Sequence, residues 1–200
     1  MGEERTLESF GEAGIDTNDA GLADGFVITV AHSRTAHIRT IGAGGGGGGC
    51  GDRTGYGGGG KRGAARQVEV LLRPGRYRIY RGVGGAGGKG GGHHKPNGSP
   101  GSRGEDAYVE FLDSGLRIAS ASGGSGGVHD VPHPEKGEDS LDENGNFIAS
   151  GGRPGGWQEH GQPAQGPGAG GGGSGNQDGK HGVHGGAGGP GRVRIVVLRN

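Results

Sequence analysis

In the stretch GVGGAGGKGGG at 82–92, the first three residues that are not glycine, Val83, Ala86 and Lys89, stand three apart. The same spacing recurs at Ser122, Ser125 and Val128, and again at His184, Ala187 and Pro190. A strict period of three matches the left-handed threefold helix, with three residues per turn and about 3.1 Å of rise per residue. In a Gly-Gly-X sequence one ridge of three carries side chains and two are bare backbone. Bare ridges let neighbouring helices approach on several sides. Such a helix has no internal hydrogen bonds, so its N–H and C=O groups must bond to adjacent helices. The spacing therefore predicts polyglycine-II helices packed side by side, a nine-residue run spanning about 28 Å. The competing reading of these runs is a set of flexible linkers.

Composition sets the problem that such packing solves. Glycine accounts for 57 of 200 residues, while hydrophobic residues reach 28% and aromatic residues 4%. That is too little for an ordinary apolar core, and composition alone points to disorder. Glycine loses more backbone freedom on folding than any other residue, so an ordered glycine run needs a regular compensating structure. Lys+Arg and Asp+Glu balance at 21 each, so no strong field attracts nucleic acid or an anionic membrane. No apolar run approaches 18 residues, and the start carries no leader pattern, so membrane insertion is not expected. The single cysteine, Cys50, excludes an intrachain disulfide framework.

Strands alternate with the glycine runs. FVITV at 26–30, HIRTI at 37–41, QVEVLL at 67–72, RYRIYR at 76–81, AYVEFL at 107–112, LRIASA at 116–121, NFIAS at 146–150 and RVRIVVL at 192–198 read as strands. HSRTA at 32–36 is expected as a hairpin loop. Pro74-Gly75, Asp113-Ser114-Gly115 and Asn144-Gly145 are expected as turns. Nothing after residue 25 has helical periodicity. The expected fold is all-β with packed polyglycine-II helices, a glycine-rich sandwich over 25–200. Residues 1–24, acidic and poor in glycine, read as an attachment arm with one helical turn around Glu3–Phe10.

The string QVEVLLRPGRYRIYRGVGGAGGKGGG, preceded by HIRTIGAGGGGGG and followed at the C-terminus by GGAGGPGRVRIVVL, resembles the glycine-rich domain of tailed-bacteriophage tail fibres and tail-tip proteins. The resemblance covers about residues 26–198, and the polar insert at 128–145 departs from it. It implies a virion protein of the phage tail, in which rigid glycine helices hold loops against a host-surface glycan or protein. Its partners would be other tail proteins, as a homotrimer or as a monomer on a trimeric fibre. A purely architectural role without receptor contact is the alternative. Glycine-rich ice-binding proteins also stack such helices, but they use flat faces of small residues and threonine, whereas these ridges carry Val, Lys, His, Pro and Ser.

The loops between runs concentrate contact-forming side chains. Tyr56, His93, His94, Asn97, His129, His133, Trp157 and His160 are the candidate receptor contacts. Trp157, the only tryptophan, reads equally as a cap on the open end of the helices. The segment GYGGGGK at 55–61 satisfies part of a phosphate-binding loop, but Arg62 replaces the required Ser/Thr and no helix follows. Asp142, Asn144 and Gly145 have Ca²⁺-loop spacing, yet Ser140 and Gly151 occupy two essential ligand positions. The nine histidines read as solvated loop residues without a defined metal-binding frame. No nucleophile elbow or framed carboxylate pair is present, so neither catalysis nor a cofactor is expected.

Overall fold

A computed structural model of the chain describes residues 5–7, 9, 14–18, 25–51, 55–91, 98–175 and 182–198. The protein is all-β with several sheets and almost no helix. β1 (Arg5–Thr6), β3 (Phe26–Val30), β6 (Gly75–Tyr80), β7 (Ala107–Phe111) and β8 (Leu116–Ala121) form one sheet in the order β1-β3-β6-β7-β8. β2 (Ile15–Asp16), β11 (Arg192–Val197), β4 (Arg34–Ile41) and β5 (Ala65–Leu72) form a second, and β9 (Ser140–Leu141) pairs with β10 (Phe147–Ala149). All described pairings are antiparallel except β1 with β3.

Period-two alternation builds the core. Phe26, Ile28 and Val30 of β3, Tyr77 and Ile79 of β6, and Val109 of β7 share one apolar cluster with Ile38 of β4, Leu72 of β5, and Val193 and Ile195 of β11. Val197 packs against it, as its spacing from Val193 and Ile195 predicts. The expected hairpin at 32–36 does not form. β3 pairs with β6 and β1, whereas β4 starts at Arg34 and pairs with β5 and β11. Divided between two sheets, β3 and β4 both put their apolar residues into one shared cluster. The Pro74-Gly75 turn likewise carries the chain from one sheet to the other. There the Tyr77 hydroxyl donates to the Arg73 carbonyl and accepts from its N–H, both at 2.9 Å. The turns at 113–115 and 144–145 close hairpins as expected, with Gly115 and Gly145 at φ 67° and 85°.

Two of the described residues before Gly25 belong to the same core. Leu7 and Ile15 are buried, and β1 and β2 each add an edge strand to a sheet. Within the expected helical turn at Glu3–Phe10, Arg5–Thr6 is strand, while Leu7 and Ser9 are in 3-10 helical conformation; Glu3, Glu4, Glu8 and Phe10 lie outside the described residues.

Where the strands stop, period two gives way to period three. Nine consecutive N–H groups, Gly42 to Cys50, each donate to a backbone carbonyl at 2.8–3.2 Å. Gly42, Gly45 and Gly48 donate to Ala64, Lys61 and Gly58; Ala43, Gly46 and Gly49 to Glu105, Ser102 and Ser99; Gly44, Gly47 and Cys50 to Gly189, Gly186 and Val183. Each row meets its own antiparallel neighbour. The carbonyls of this run in turn accept from three parallel neighbours, at Gly85 and Gly88, at Gly124 and Gly127, and at Gly171 and Ser174. The run thus has six bonded neighbours, and residues 42–50 are all buried. Run 168–175, also fully buried, has six of its own: it donates to 135–138, 159–162 and 42–50, and accepts from 57–63, 152–155 and 186–189.

The outermost N–H rows end on side chains. Val83 donates to Glu105 Oε2, Ala86 to Ser102 Oγ and Lys89 to Ser99 Oγ, while Gly59 and Arg62 donate to Glu135 and Glu138, and Gly151 to Asp139. The Tyr80 hydroxyl, then the Val83 N–H, hold the Glu105 carboxyl below its ordinary value. Burial pushes Glu138 up, but the Arg62 N–H and the Lys61 ammonium outweigh it and the net direction is down. Lys136, then the Gly151 N–H, lower Asp139. A carboxyl lowered by folding stabilises the protein above its unfolded value and stops doing so as pH falls through the lowered one. Urea midpoints are therefore expected to hold above the ordinary glutamate value of 4.5 and to fall in more acidic solution. The double substitution Glu105→Gln, Glu138→Gln should weaken that dependence, whereas Ser99→Ala should leave its shape unchanged.

Candidate functional site

The hydrogen-bonded runs go out from the sheets and back. Run 42–50 leaves β4 and 57–64 returns to β5; 82–91 leaves β6 and 98–106 returns to β7; 122–128 leaves β8 and 135–139 returns to β9. Runs 150–156 and 159–165, then 168–175 and 182–191, complete the set. Each outgoing run is thus followed by a returning one, and the connections described in full at the end remote from the sheets are 129–134 and 157–158. Of the described candidate contact residues, Tyr56, His129, His133 and Trp157 sit at three connections, each between an outgoing run and a returning one.

Tyr56 and the 129–133 segment are brought together. Tyr56 and Val131 exchange backbone hydrogen bonds at 2.8 and 2.9 Å. Gly55, at φ 91°, lies so close that an added Cβ would come within 2.6 Å of Asp130 Cα. Asp130 is itself held at φ 60°, and its carboxylate meets His129 Nδ1 at 2.7 Å. His133 is exposed. Trp157 occupies a turn in which the Glu159 N–H donates to the Gly156 carbonyl and the Glu159 carboxylate accepts from the Gly156 N–H. Gln158 takes φ 59°, and the indole is 65% exposed. An αL backbone at a residue other than glycine or asparagine costs free energy; here it aims a large aromatic ring outward.

His160 does not stand among these loop tips. It stacks on His184, with ring centroids 5.0 Å apart and planes 8° from parallel. His160 Nδ1 accepts the His184 N–H at 2.8 Å, and His184 Nδ1 accepts the Gly90 N–H at 2.9 Å. The pair seals the outer edge between two runs, and His184 is thus more than a ridge residue. His93, His94 and Asn97 lie outside the described residues.

Of the residues spaced by three, Val83, Ala86, Lys89, Ser122, Ser125, Val128, His184 and Ala187 are exposed, and Pro190 is half-buried. The 55–61 segment has no free cradle for phosphate, because Gly57, Gly58, Gly60 and Lys61 spend their N–H groups on neighbouring runs. Asp142 spends its carboxylate within its own turn, on the N–H groups of Asn144 and Asn146 and the Asn146 amide. Among the described residues no group of three His, Cys, Asp or Glu side chains could hold a metal ion.

The sequence reading did not see that 98–106, 135–139 and 159–165 are runs in the same bundle. The signal was present in the first: Gly98, Gly101 and Gly104 are three apart, and an added Cβ at each would strike the backbone of run 42–50. Part of the apparent polar insert at 128–145 is likewise a returning run and half of the β9–β10 hairpin.

Fold and site together define an all-β protein whose glycine runs bond backbone to backbone and end in exposed loops. Residues 23–147, more than half of the chain, match the family described as glycine-rich domain, and the chain belongs to that family. No curated protein matches it.

Proposed function

We propose that this chain is a structural module of a bacteriophage tail, a fibre or tip component that holds loops against the host surface. Its glycine runs are polyglycine-II helices packed hexagonally, and the two sheets close over each other as a sandwich at the base. The observation that carries this reading is the bonding of runs 42–50 and 168–175 to six neighbours each. Such a bundle is rigid without a large apolar core, and among the described residues the connections at 129–134 and 157–158 interrupt its regular backbone at the outer end. Rigid presentation of several weak contacts raises avidity without any one of them being strong. Tyr56, His129, His133 and Trp157 supply aromatic and polar groups at the bundle's end. The segment 1–24 joins the module to a neighbouring tail protein; β1 and β2 would couple that neighbour to both sheets.

Imaging the tail of an intact particle by electron cryomicroscopy tests the reading. The expected map places the chain at the fibre or tip with the reversals at 129–134 and 157–158 facing outward. Finding those reversals buried against other virion proteins would leave an architectural part without receptor contact. Finding the chain outside the tail would overturn the proposal.

A further inference from the structure

We infer that the pocket between the outer face of β11 and the β9–β10 hairpin binds an acidic saccharide, its carboxylate on Arg194 and its ring against Phe147. The pocket has a volume of about 200 Å³ and lies on the sheets, apart from the loops discussed above. Arg194 and Arg39 stand directly opposite each other on β11 and β4, with Arg192 two residues along the same face. Like charges so placed repel, and two of the three are neutralised. Arg39 donates to Glu143 at 2.6 Å and to Gln67 at 3.1 Å, and Arg192 pairs with Asp16 through two nitrogens. Arg194 is exposed and makes no hydrogen bond or ion pair among the described residues; its charge acts on Asp16, directly opposite on β2, but that carboxylate is bonded to Arg192. Its guanidinium fork is free for a carboxylate, the partner whose geometry it matches.

The rest of the lining points from a bare anion to a sugar. Ile41 and Ile148 give an apolar floor, and Phe147 stands 63% exposed at the rim, where its ring face can cover the C–H face of a pyranose. Asp142 Oδ1 is taken by the N–H groups of Asn144 and Asn146, and Oδ2, bonded to the Asn146 amide, has acceptor capacity left for a hydroxyl. A cation, a fixed acceptor and an exposed aromatic ring around one small cavity suit a polyhydroxylated carboxylate better than phosphate or a neutral sugar.

The test is an NMR titration of the full chain with D-glucuronate, D-glucose and inorganic phosphate. With glucuronate, saturable shifts are expected at the amides of residues 147–148 and 192–194. Glucose and phosphate should each bind at least about tenfold more weakly, and Arg194→Gln should weaken glucuronate about tenfold, the loss of one charge-assisted pair. Phe147→Ala should weaken glucuronate while leaving phosphate unchanged. Equal binding of glucose would remove the role of Arg194, and equal binding of phosphate would reduce the site to one for any anion. Absence of saturation, or an Arg194→Gln protein that binds like wild type with an unchanged spectrum elsewhere, would overturn the assignment.

Discussion

Gly47→Ala is expected to destabilise the protein by about 3 kcal/mol or more, the upper end of the range for overpacking a close-packed interior, because only backbone surrounds the added methyl group. Gly47 sits midway along run 42–50 and is buried. A Cβ there would lie less than 3.0 Å from the carbonyl oxygen and carbon of Gly172 and from the nitrogen of Gly173. All three are backbone atoms of the other fully surrounded run, so no side chain can swing aside. Either the two central runs separate, and with them the bonds from Gly171 to Gly45 and from Ser174 to Gly48, or the methyl group is not accommodated. For a chain of this size the corresponding fall in Tm is roughly 10 °C or more. Ala86→Ser is the matched control, because Ala86 is exposed; its effect should stay within about 0.5 kcal/mol. Thermal unfolding of the two variants beside wild type gives the comparison.

Inserting a single glycine between Gly46 and Gly47 is expected to be as damaging, for a different reason. In the proposed threefold helix, with three residues per turn, one extra residue rotates everything beyond it by a third of a turn. The N–H groups now aimed at Gly186, Gly58, Ser99 and Val183 would each face the wrong neighbour. Three inserted glycines restore the phase. They lengthen the run by about 9 Å and move the connection at 51–56 outward, leaving the buried rows filled. Urea unfolding should therefore rank the proteins as wild type, then the three-residue insertion, with the one- and two-residue insertions far below. A steady decline with insertion length would show that no threefold phase exists.

Much of this was legible in the sequence because two periods write themselves in different residues. Alternation in FVITV and RVRIVVL marks apolar faces, and Ile28 and Ile195 are fully buried as that alternation requires. The three-residue spacing of Val83, Ala86 and Lys89 marks one side of a run, and all three are exposed. What spacing cannot encode is which strand pairs with which. HSRTA at 32–36 reads as a hairpin loop, yet β3 and β4 lie in different sheets, where both feed one apolar cluster. The glycine content of a run carried more than was read from it. Run 98–106 has glycine at one position in three and meets the central run along that row; run 82–91 has two in three; 44–49 has glycine throughout and is enclosed on every side. Glycines per turn thus report how many faces of a run are covered by backbone.

The site was less legible. Tyr56, His129 and Trp157 could be assigned to loops, but the pairing of Tyr56 with Val131 and the stacking of His160 on His184 join residues far apart in sequence. The Arg194 pocket left no motif at all, since it depends on the β9–β10 hairpin lying over β11.

Amide hydrogen exchange across residues 42–50 tests the central claim most directly. If the run is a threefold helix bonded to six neighbours, all nine consecutive amides should be protected to a similar and high degree, because each has its own carbonyl acceptor on another run. Fast exchange along any of the three rows, or protection at alternate residues as in an edge strand, would contradict it.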